Sequence, residues 1–572
     1  MTAMILPGTY IEVRPEGLIA PGQVTVGNVG VVGTASKGAL NKPILLSNYN
    51  DAISIFGSYD SFMDPNDPTK RRANSLTLVR ALELVFANGA STVYAMRVAA
   101  AGAAAATAAL VSAGGACVNL AARTEGAWAN GMSVSVTAPE ATDVFVLEEV
   151  KTVLAADAAA KKIDLAHTTK ASGRNRVSIR KVDGSVVVPA VVTGAPAAAQ
   201  DPPQVQFTGT TLVFADTPEV DSIVTATYQV DPAQVAKVTI ALGFTKETYL
   251  VTDGNALVAA IADPETASTL VTAAAAANAG QRPTAPQNVP FKGGANGAAN
   301  ATYNFDPLLD VDAHIIVAAG QTDKVGATLD AHCQKASTDV FKRDRIAVVG
   351  SDFAKANTTP LTSPDIAAYI DKLVGNTLAS DRVVFVAPGF RATSSASEDQ
   401  AVNPITLPGA YTAAVIAGML AGLPPHVSLT NKAVAVQDVE VNFSDPQLTE
   451  LVQNRVTALE VSRGIRVLRG QTTDDGPFRE ITTRRIVDYA KYGVRSAAGP
   501  YIGLLNNDRV RGALRGTINS FLQGMLDDEM LVAYKLDVTA TRDEQIKGIV
   551  QVTISLQPVF SINFIRVTMI LS

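Results

Sequence analysis

The chain has 572 residues, 47% of them hydrophobic, with 47 basic and 53 acidic side chains and a net charge of −6. That length exceeds a single core and points to about two to four domains. The near balance of charge excludes a global pull toward nucleic acid or anionic lipid, and no apolar run reaches the length of a membrane span, so neither direct nucleic-acid binding nor membrane insertion is expected.

Residues 1–26 hold Pro7, Pro15 and Pro21 with Gly8, Gly17 and Gly22. This spacing rules out a long helix and leaves one short strand candidate, Thr9 to Val13. A fully extended arm of about 20 residues spans roughly 66 Å at ~3.3 Å per residue, enough to cross to a neighbouring subunit and add a strand there. Met1 to Leu6 is too short and lacks the basic region of a signal peptide, so synthesis in the cytoplasm is expected.

From Asn28 to Val98 the pattern is α/β. Val29 to Gly33 reads as a buried strand, and Ser75 is placed to cap a helix with Leu78, Val79, Leu82, Val85 and Phe86 on one face. Asn88-Gly89 closes that helix, and Thr92 to Val98 is the next strand. Nine of the eleven residues from Ala99 to Ala109 are then alanine, and a second low-complexity stretch runs from Thr272 to Asn300.

Between them lie short β-type runs: Met132 to Thr137, Arg176 to Ile179, Ser185 to Val192, Thr211 to Phe214 and Ile223 to Val230. Residues 101–294 are accordingly expected to form one or two β-rich domains inserted into an α/β core built from residues 27–100 and 295–557. The α/β signal resumes with strands at His314 to Ala318, Arg345 to Val349 and Arg382 to Val386. Helices open at Ser363-Pro364-Asp365 and Asp445-Pro446.

Asn506 to Met530 reads as a helix with an apolar stripe through Val510, Leu514, Ile518, Leu522 and Met525, while Arg511, Arg515 and Asn519 share another face. Arg484 to Arg515 contains seven basic and two acidic residues, a local excess of +5 in an acidic chain. Val550 to Gln557 alternates strictly between apolar and polar residues. After Pro558 a second run, Phe560 to Leu571, alternates through Phe560, Ile562 and Phe564, slips phase at Ile565, and resumes through Val567, Met569 and Leu571, with Arg566 its only charge. So apolar a strand is an aggregation hazard as a free edge and calls for a partner in its own domain or a neighbour.

Catalytic signatures are missing. None of the four histidines forms an H-E-x-x-H motif, and Cys117 and Cys333 read as isolated buried thiols. Asp310, Asp312 and His314 offer a weak metal set that helix or loop caps explain better. Gly30-Val-Val-Gly33-Thr-Ala-Ser-Lys37-Gly38 lacks the spacing of a phosphate loop and reads as a tight turn after a strand. No catalytic residue, cofactor or metal site is assigned.

Several segments together resemble the tail sheath proteins of contractile phage tails and phage-derived injection particles. Pro7-Gly8-Thr9-Tyr10-Ile11-Glu12-Val13 resembles that family's opening arm. Gly30 to Leu46 resembles the strand and turn that follow, and Phe291-Lys-Gly-Gly-Ala-Asn-Gly297 resembles a Gly-Gly-x-x-Gly signature at the return from the insertion. Leu407 to Leu423, Gly464-Ile-Arg-Val-Leu468, Ile481 to Tyr489 and Asn506 to Leu571 then follow in the family's order. Each motif is weak alone; their order is specific. The insertion is matched by position only.

The resemblance implies a non-enzymatic subunit that polymerises as helically stacked hexameric rings around an inner tail tube and contracts to drive the tube through a cell envelope. Its partners would be further copies of itself, the tube protein, and baseplate and tail terminator proteins, within a virion tail made in a bacterial host. On this reading Tyr10, Ile11 and Val13, with Ile562, Phe564 and Val567 in a C-terminal arm of residues 558–572, add strands to neighbouring subunits. Arg509, Arg511 and Arg515 face the tube, with Arg484 and Arg485 weaker candidates, and the insertion faces outward. A different tail, baseplate or surface-layer protein, or an α/β enzyme with an inserted β domain, are the alternatives. Trp128, the sole tryptophan, gives little aromatic clustering for glycan binding by the insertion.

Overall fold

The structure, a computed structural model, describes residues 26–64, 67–71, 76–99, 102–170, 173–297, 303–396 and 403–570. Tyr10, Ile11, Val13 and the Ser75 cap therefore lie outside the described residues. The chain divides into two compact units, residues 102–297 and the two flanking segments together.

The flanking unit is a mixed α/β fold around an eight-stranded sheet. Its strands are β1 (Val29–Gly33), β2 (Pro43–Leu46), β3 (Val93–Arg97), β4 (Ile315–Thr322), β5 (Ile346–Gly350), β6 (Val383–Ala387), β7 (Val456–Ser462) and β8 (Gly464–Val467). They lie in the order β2-β3-β1-β4-β5-β6-β7-β8. The inner strands from β3 to β7 are parallel, and β2 and β8 close the edges antiparallel. Strands before and after the insertion meet at β1 and β4, where Val29 pairs with Ile315 and Val31 with Val317.

A parallel sheet covered on both faces needs apolar residues at every position, and β1, β5 and β6 are buried throughout. Alternate side chains divide between two cores. Val31, Val317, Val348 and Val384 face α1 (Leu78–Ala87) and α3 (Gly409–Gly422). Val32, Ile316, Val349 and Phe385 face the helix Gly326–Ala336, α2 (Ser363–Val374) and α4 (Asp445–Gln453). Helix α2 opens as its sequence predicts, with the Asp365 carboxylate accepting from the Thr362 backbone N–H at 2.9 Å. Cys333 lies in the second core, where burial pushes its thiol up to about 12; Cys117 is buried in the inserted unit.

Helix α3 is the least amphipathic element. All but three of its fourteen residues, Gly409 to Gly422, are buried, and a helix apolar on every side leaves no periodic stripe. Glycines set its approach. A Cβ built on Gly350, the last residue of β5, would lie 1.8 Å from the Gly409 carbonyl oxygen, and the Ala410 N–H donates to Ser351 O at 2.8 Å.

Residues 102–297 hold two β-rich cores. The first joins the three-stranded sheet Thr107–Ser112, Gly115–Ala122 and Val271–Ala275 to a four-stranded sheet of Met132–Thr137, Ala236–Leu242, Thr245–Val251 and Gln287–Pro290. The second, between Val146 and Val235, surrounds Phe207, Leu212, Val224 and Tyr228. Both low-complexity stretches contribute strands, since a small side chain on alternate positions suffices for a tightly packed sheet face. Ser185 to Val192 is not one strand. Pro189 cannot donate to a ladder, and the run splits into Val186–Val187 and Ala190–Val191, which join different sheets.

Beyond Pro558 no residue to 570 forms a strand, so the expected run from Phe560 has no β partner among the described residues. No helix of the described residues is long and apolar enough to cross a membrane.

The approach of Gly350 to Gly409 is between backbones and has no flexible side chain to move aside. Gly350→Ala is expected to destabilise the chain by about 3 kcal/mol or more, the upper end of overpacking costs, measured as a fall in chemical-denaturation midpoint. An unchanged midpoint would contradict this packing.

Candidate assembly surface

The C-terminal part of the flanking unit consists of α5 (Ile481–Ala498), α6 (Asp508–Asp527) and a hairpin of β9 (Leu531–Thr539) and β10 (Gln551–Pro558). Asn507 caps α6, its side-chain oxygen accepting from the Val510 N–H at 2.9 Å. Leu514, Ile518, Leu522 and Met525 then pack on Ile486, Ala490 and Ala497 of α5. Gly493 leaves the space that the Phe521 ring occupies, and that ring stacks on Tyr489 at 5.8 Å between centroids.

On the hairpin, Val552, Ile554 and Leu556 pack toward the helices, while Gln551, Thr553, Ser555 and Gln557 are exposed. This is the alternation read from sequence. Among the described residues the sheet has only these two strands, so the outer edges of both β9 and β10 are open there. An isolated two-stranded sheet is marginal, and open edges are templates for further strands.

Ile562, Phe564 and Val567 follow the hairpin and are 79%, 84% and 73% exposed. Phe560, Ile565, Met569 and Ile570 are exposed with them. Ile502, Leu504 and Leu505 also stand out from the turn before α6, beside a groove of about 310 Å³ that reaches Gly548 and Val550.

The basic window from Arg484 to Arg515 separates into two groups. Arg484, Arg485, Lys491 and Arg495 are on α5 and turn toward the main sheet. Asp344, whose side chain is fully buried, accepts from Arg382 at 3.4 Å, from Arg495 at 2.6 Å and from Lys491. Asp488 bridges Arg382 at 2.9 Å and Arg484 at 2.6 Å, and Arg484 also reaches Asp381 at 2.9 Å. Arg485 donates to the Leu423 carbonyl at 2.9 Å, just past α3, and burial lowers its pKa to about 10. Arg484 and Arg485 are therefore core anchors, which removes them as tube-facing candidates.

Arg509, Arg511 and Arg515 are on α6. Arg509 and Arg515 are exposed. Arg511 is held by Asp508 and by the Asn506 side-chain oxygen at 2.7 Å, within its own first helical turn. No ion pair joins it to Asp527, Asp528 or Glu529 among the described residues.

The Asp310, Asp312 and His314 set does not assemble. His314 Nε2 lies 3.6 Å from Asp312, which Arg343 also pairs, and no group of three metal-ligating side chains forms among the described residues. His314 is packed edge-on against Tyr492, and burial lowers its pKa to about 4. His332 is likewise lowered to about 4, first by burial and then by Arg345, which donates to its Nε2 at 3.1 Å. The Gly30–Gly38 segment is the end of β1, up to Gly33, followed by a bend over residues 36–38, with Arg97 donating to Gly38 O at 2.7 Å.

Residues 473–572 match the family model described as the phage tail sheath C-terminal domain. A comparison with curated proteins gave no match. Among solved structures the chain is similar to the sheath tail protein of Desulfitobacterium hafniense, at 15% identity and a TM-score of 0.54, covering 97% of each chain. It is also similar to the sheath tail protein Lin1278 of Listeria innocua, at 12% identity and a TM-score of 0.55, covering 96% of this chain and 95% of that one. The fold is thus that of a phage-type tail sheath protein. Its last hundred residues, which hold all of α5, all of α6 and the hairpin, match the phage tail sheath C-terminal domain.

The buried histidines set an acid limit. Their folded pKa lies below the ordinary value of 6.5, so the stability they contribute is complete above pH 6.5 and is lost as pH falls toward 4. Glu440, raised to about 7 by burial, acts in the opposite sense, losing stability as pH rises from 4.5 to 7. His332→Gln keeps an acceptor for Arg345 but cannot titrate. Its thermal midpoint should fall less between pH 7 and pH 5 than that of the native chain, and an equal fall would refute the assignment.

Proposed function

We infer that the chain is the structural subunit of a contractile tail sheath. It polymerises helically, as stacked hexameric rings around an inner tail tube, and contracts to drive that tube through a cell envelope. The observation that carries this is the pairing of an open-edged hairpin with an adjoining apolar segment that has no β partner among the described residues, inside the segment that matches a phage tail sheath C-terminal domain.

Strand exchange satisfies both needs at once. Residues 559–570 of one subunit, and Tyr10, Ile11 and Val13 of another, add to the edges of β9 and β10. Each added strand satisfies backbone groups and covers apolar side chains. Such a contact is heterologous and does not close on itself, which generates a helical array. Pro15 to Gly27 and the Gln557-Pro558 region are the connectors that stay joined as subunits move. Contraction is then a passage between two discrete packings of the same subunits, with no nucleotide consumed. Baseplate and terminator proteins cap the ends of the array.

Arg509 and Arg515, exposed on α6, dock on an acidic tube surface, with Arg511 ordering the first turn beside them. Charge gives register and release rather than a permanent bond. The inserted unit faces outward. The sheath domain and fold support this structural reading over an α/β enzyme.

Removing residues 559–572 should leave a folded, soluble chain by circular dichroism that forms no tubes under negative-stain microscopy; full-length tubes from the truncation would overturn strand donation.

Arg509→Glu with Arg515→Glu should leave untemplated self-association intact and reduce assembly on added tubes at least tenfold by sedimentation. Undiminished co-sedimentation would remove the tube contact.

A further inference from the structure

A groove of about 580 Å³ runs along the main sheet's far edge, between α4 and the β7–β8 hairpin. Its floor includes Leu448, Val452 and Leu468, and Arg469 and Arg479 line its side. The two tail residues at its mouth are Asn563 and Phe564. Asn563 is half-buried between exposed neighbours, and its Nδ2 donates to Glu480 Oε1 at 3.3 Å. Glu480 is itself held by Arg469 and precedes the first residue of α5.

We propose that this groove is a binding site for the C-terminal arm of the same chain, a seat in which the free subunit parks Asn563 and Phe564. Asn563 is one of the polar positions that alternate with Ile562 and Phe564, and it is the residue that meets the Arg469–Glu480 pair. Phe564 stands over an apolar floor but remains 84% exposed, and the Asn563 Oδ1 is buried without a hydrogen-bond partner. The seat is therefore incomplete, and an incompletely satisfied contact yields readily to a better one. A fully paired strand position on a neighbouring hairpin is such a contact, since every backbone group finds a partner there.

The seat holds the arm against its own core while the chain is free. Its competition with assembly rests on the strand-donation reading; its existence does not.

Arg566, the only charge in the segment, supplies the test. Trypsin cutting after Arg566 releases residues 567–572, readable by mass spectrometry. The full chain is used at a concentration where light scattering shows monomer. Thr449→Glu places a carboxylate on the exposed lip of the groove without changing the arm, and Asn563→Ala removes the hydrogen bond from the arm's side. Both should raise the rate of release several-fold, with the rate of cutting elsewhere unchanged. Equal release from the native chain and both variants overturns the seat. A faster release in Thr449→Glu together with tube growth at lower protein concentration supports both seat and competition. Faster release with unchanged tube growth supports the seat and counts against the competition.

Discussion

Asp344 is a carboxylate with no exposed side-chain surface, and the C-terminal domain depends on how it is neutralised. A charge this deeply placed is tolerated only when paired and hydrogen-bonded. Arg382 comes from the strand end beside it, and Lys491 and Arg495 come from α5. Arg382 also meets Asp488, which meets Arg484, which meets Asp381. Charges thus alternate from the sheet onto the helix and back. Buried pairs of this kind add little net stability over apolar packing, because desolvation offsets attraction, yet breaking one leaves an uncompensated charge. Their effect here is on register: α5 has one rotational setting that satisfies every member. Arg485, reaching the carbonyl at the end of α3, fixes the same setting from the other side. The helix so placed carries Ile486, Ala490 and Ala497 toward α6, and α6 carries the hairpin.

This arrangement explains why a charge window read along the sequence was misleading in part. The excess in Arg484 to Arg515 looks like one basic surface, but a turn between Ala498 and Asp508 sends its halves to different surroundings. The α5 half is neutralised by Asp344, Asp381 and Asp488, two of which lie more than a hundred residues away along the chain. No local pattern reveals such partners. The α6 half keeps two exposed arginines, Arg509 and Arg515.

Elsewhere, what was legible followed from local physics. The parallel strands β1, β5 and β6 are unbroken runs of Val, Ile, Ala, Gly and Phe, and burial on both faces demands that composition. Helices α2 and α4 carry their start signals in Ser363-Pro364-Asp365 and Asp445-Pro446. Helix α3 carries no stripe because it has no wet side. The alanine-rich strands of the inserted unit carry little β-propensity, and only their neighbours across the sheet decide their state. The hairpin's inward set, Val552, Ile554 and Leu556, was legible; the absence of any third strand among the described residues was not, because open edges are a property of topology.

The overhang after Pro558 has a geometric cause. Thr539 pairs with Gln551 at one end of the hairpin and Leu531 with Pro558 at the other, and the Val559 N–H still reaches Met530 O at 3.2 Å. There the partner strand runs out, because the residues before Met530 turn directly into α6, with Glu529 at a φ of +59°. Residues 560–570 therefore have no backbone to pair with in the hairpin that launches them. Pro558 reinforces the break, having no N–H to extend a ladder. The phase slip at Phe564–Ile565 lies within this overhang, just after the residues that touch the α4 groove. A strand with such a slip presents one face before it and the other after it, so an edge that accepts the whole segment needs a bulge at that point. The apolar residues on both sides of the slip then require cover from both faces of whatever sheet they join, which a neighbouring subunit's edge and its underlying helices provide together.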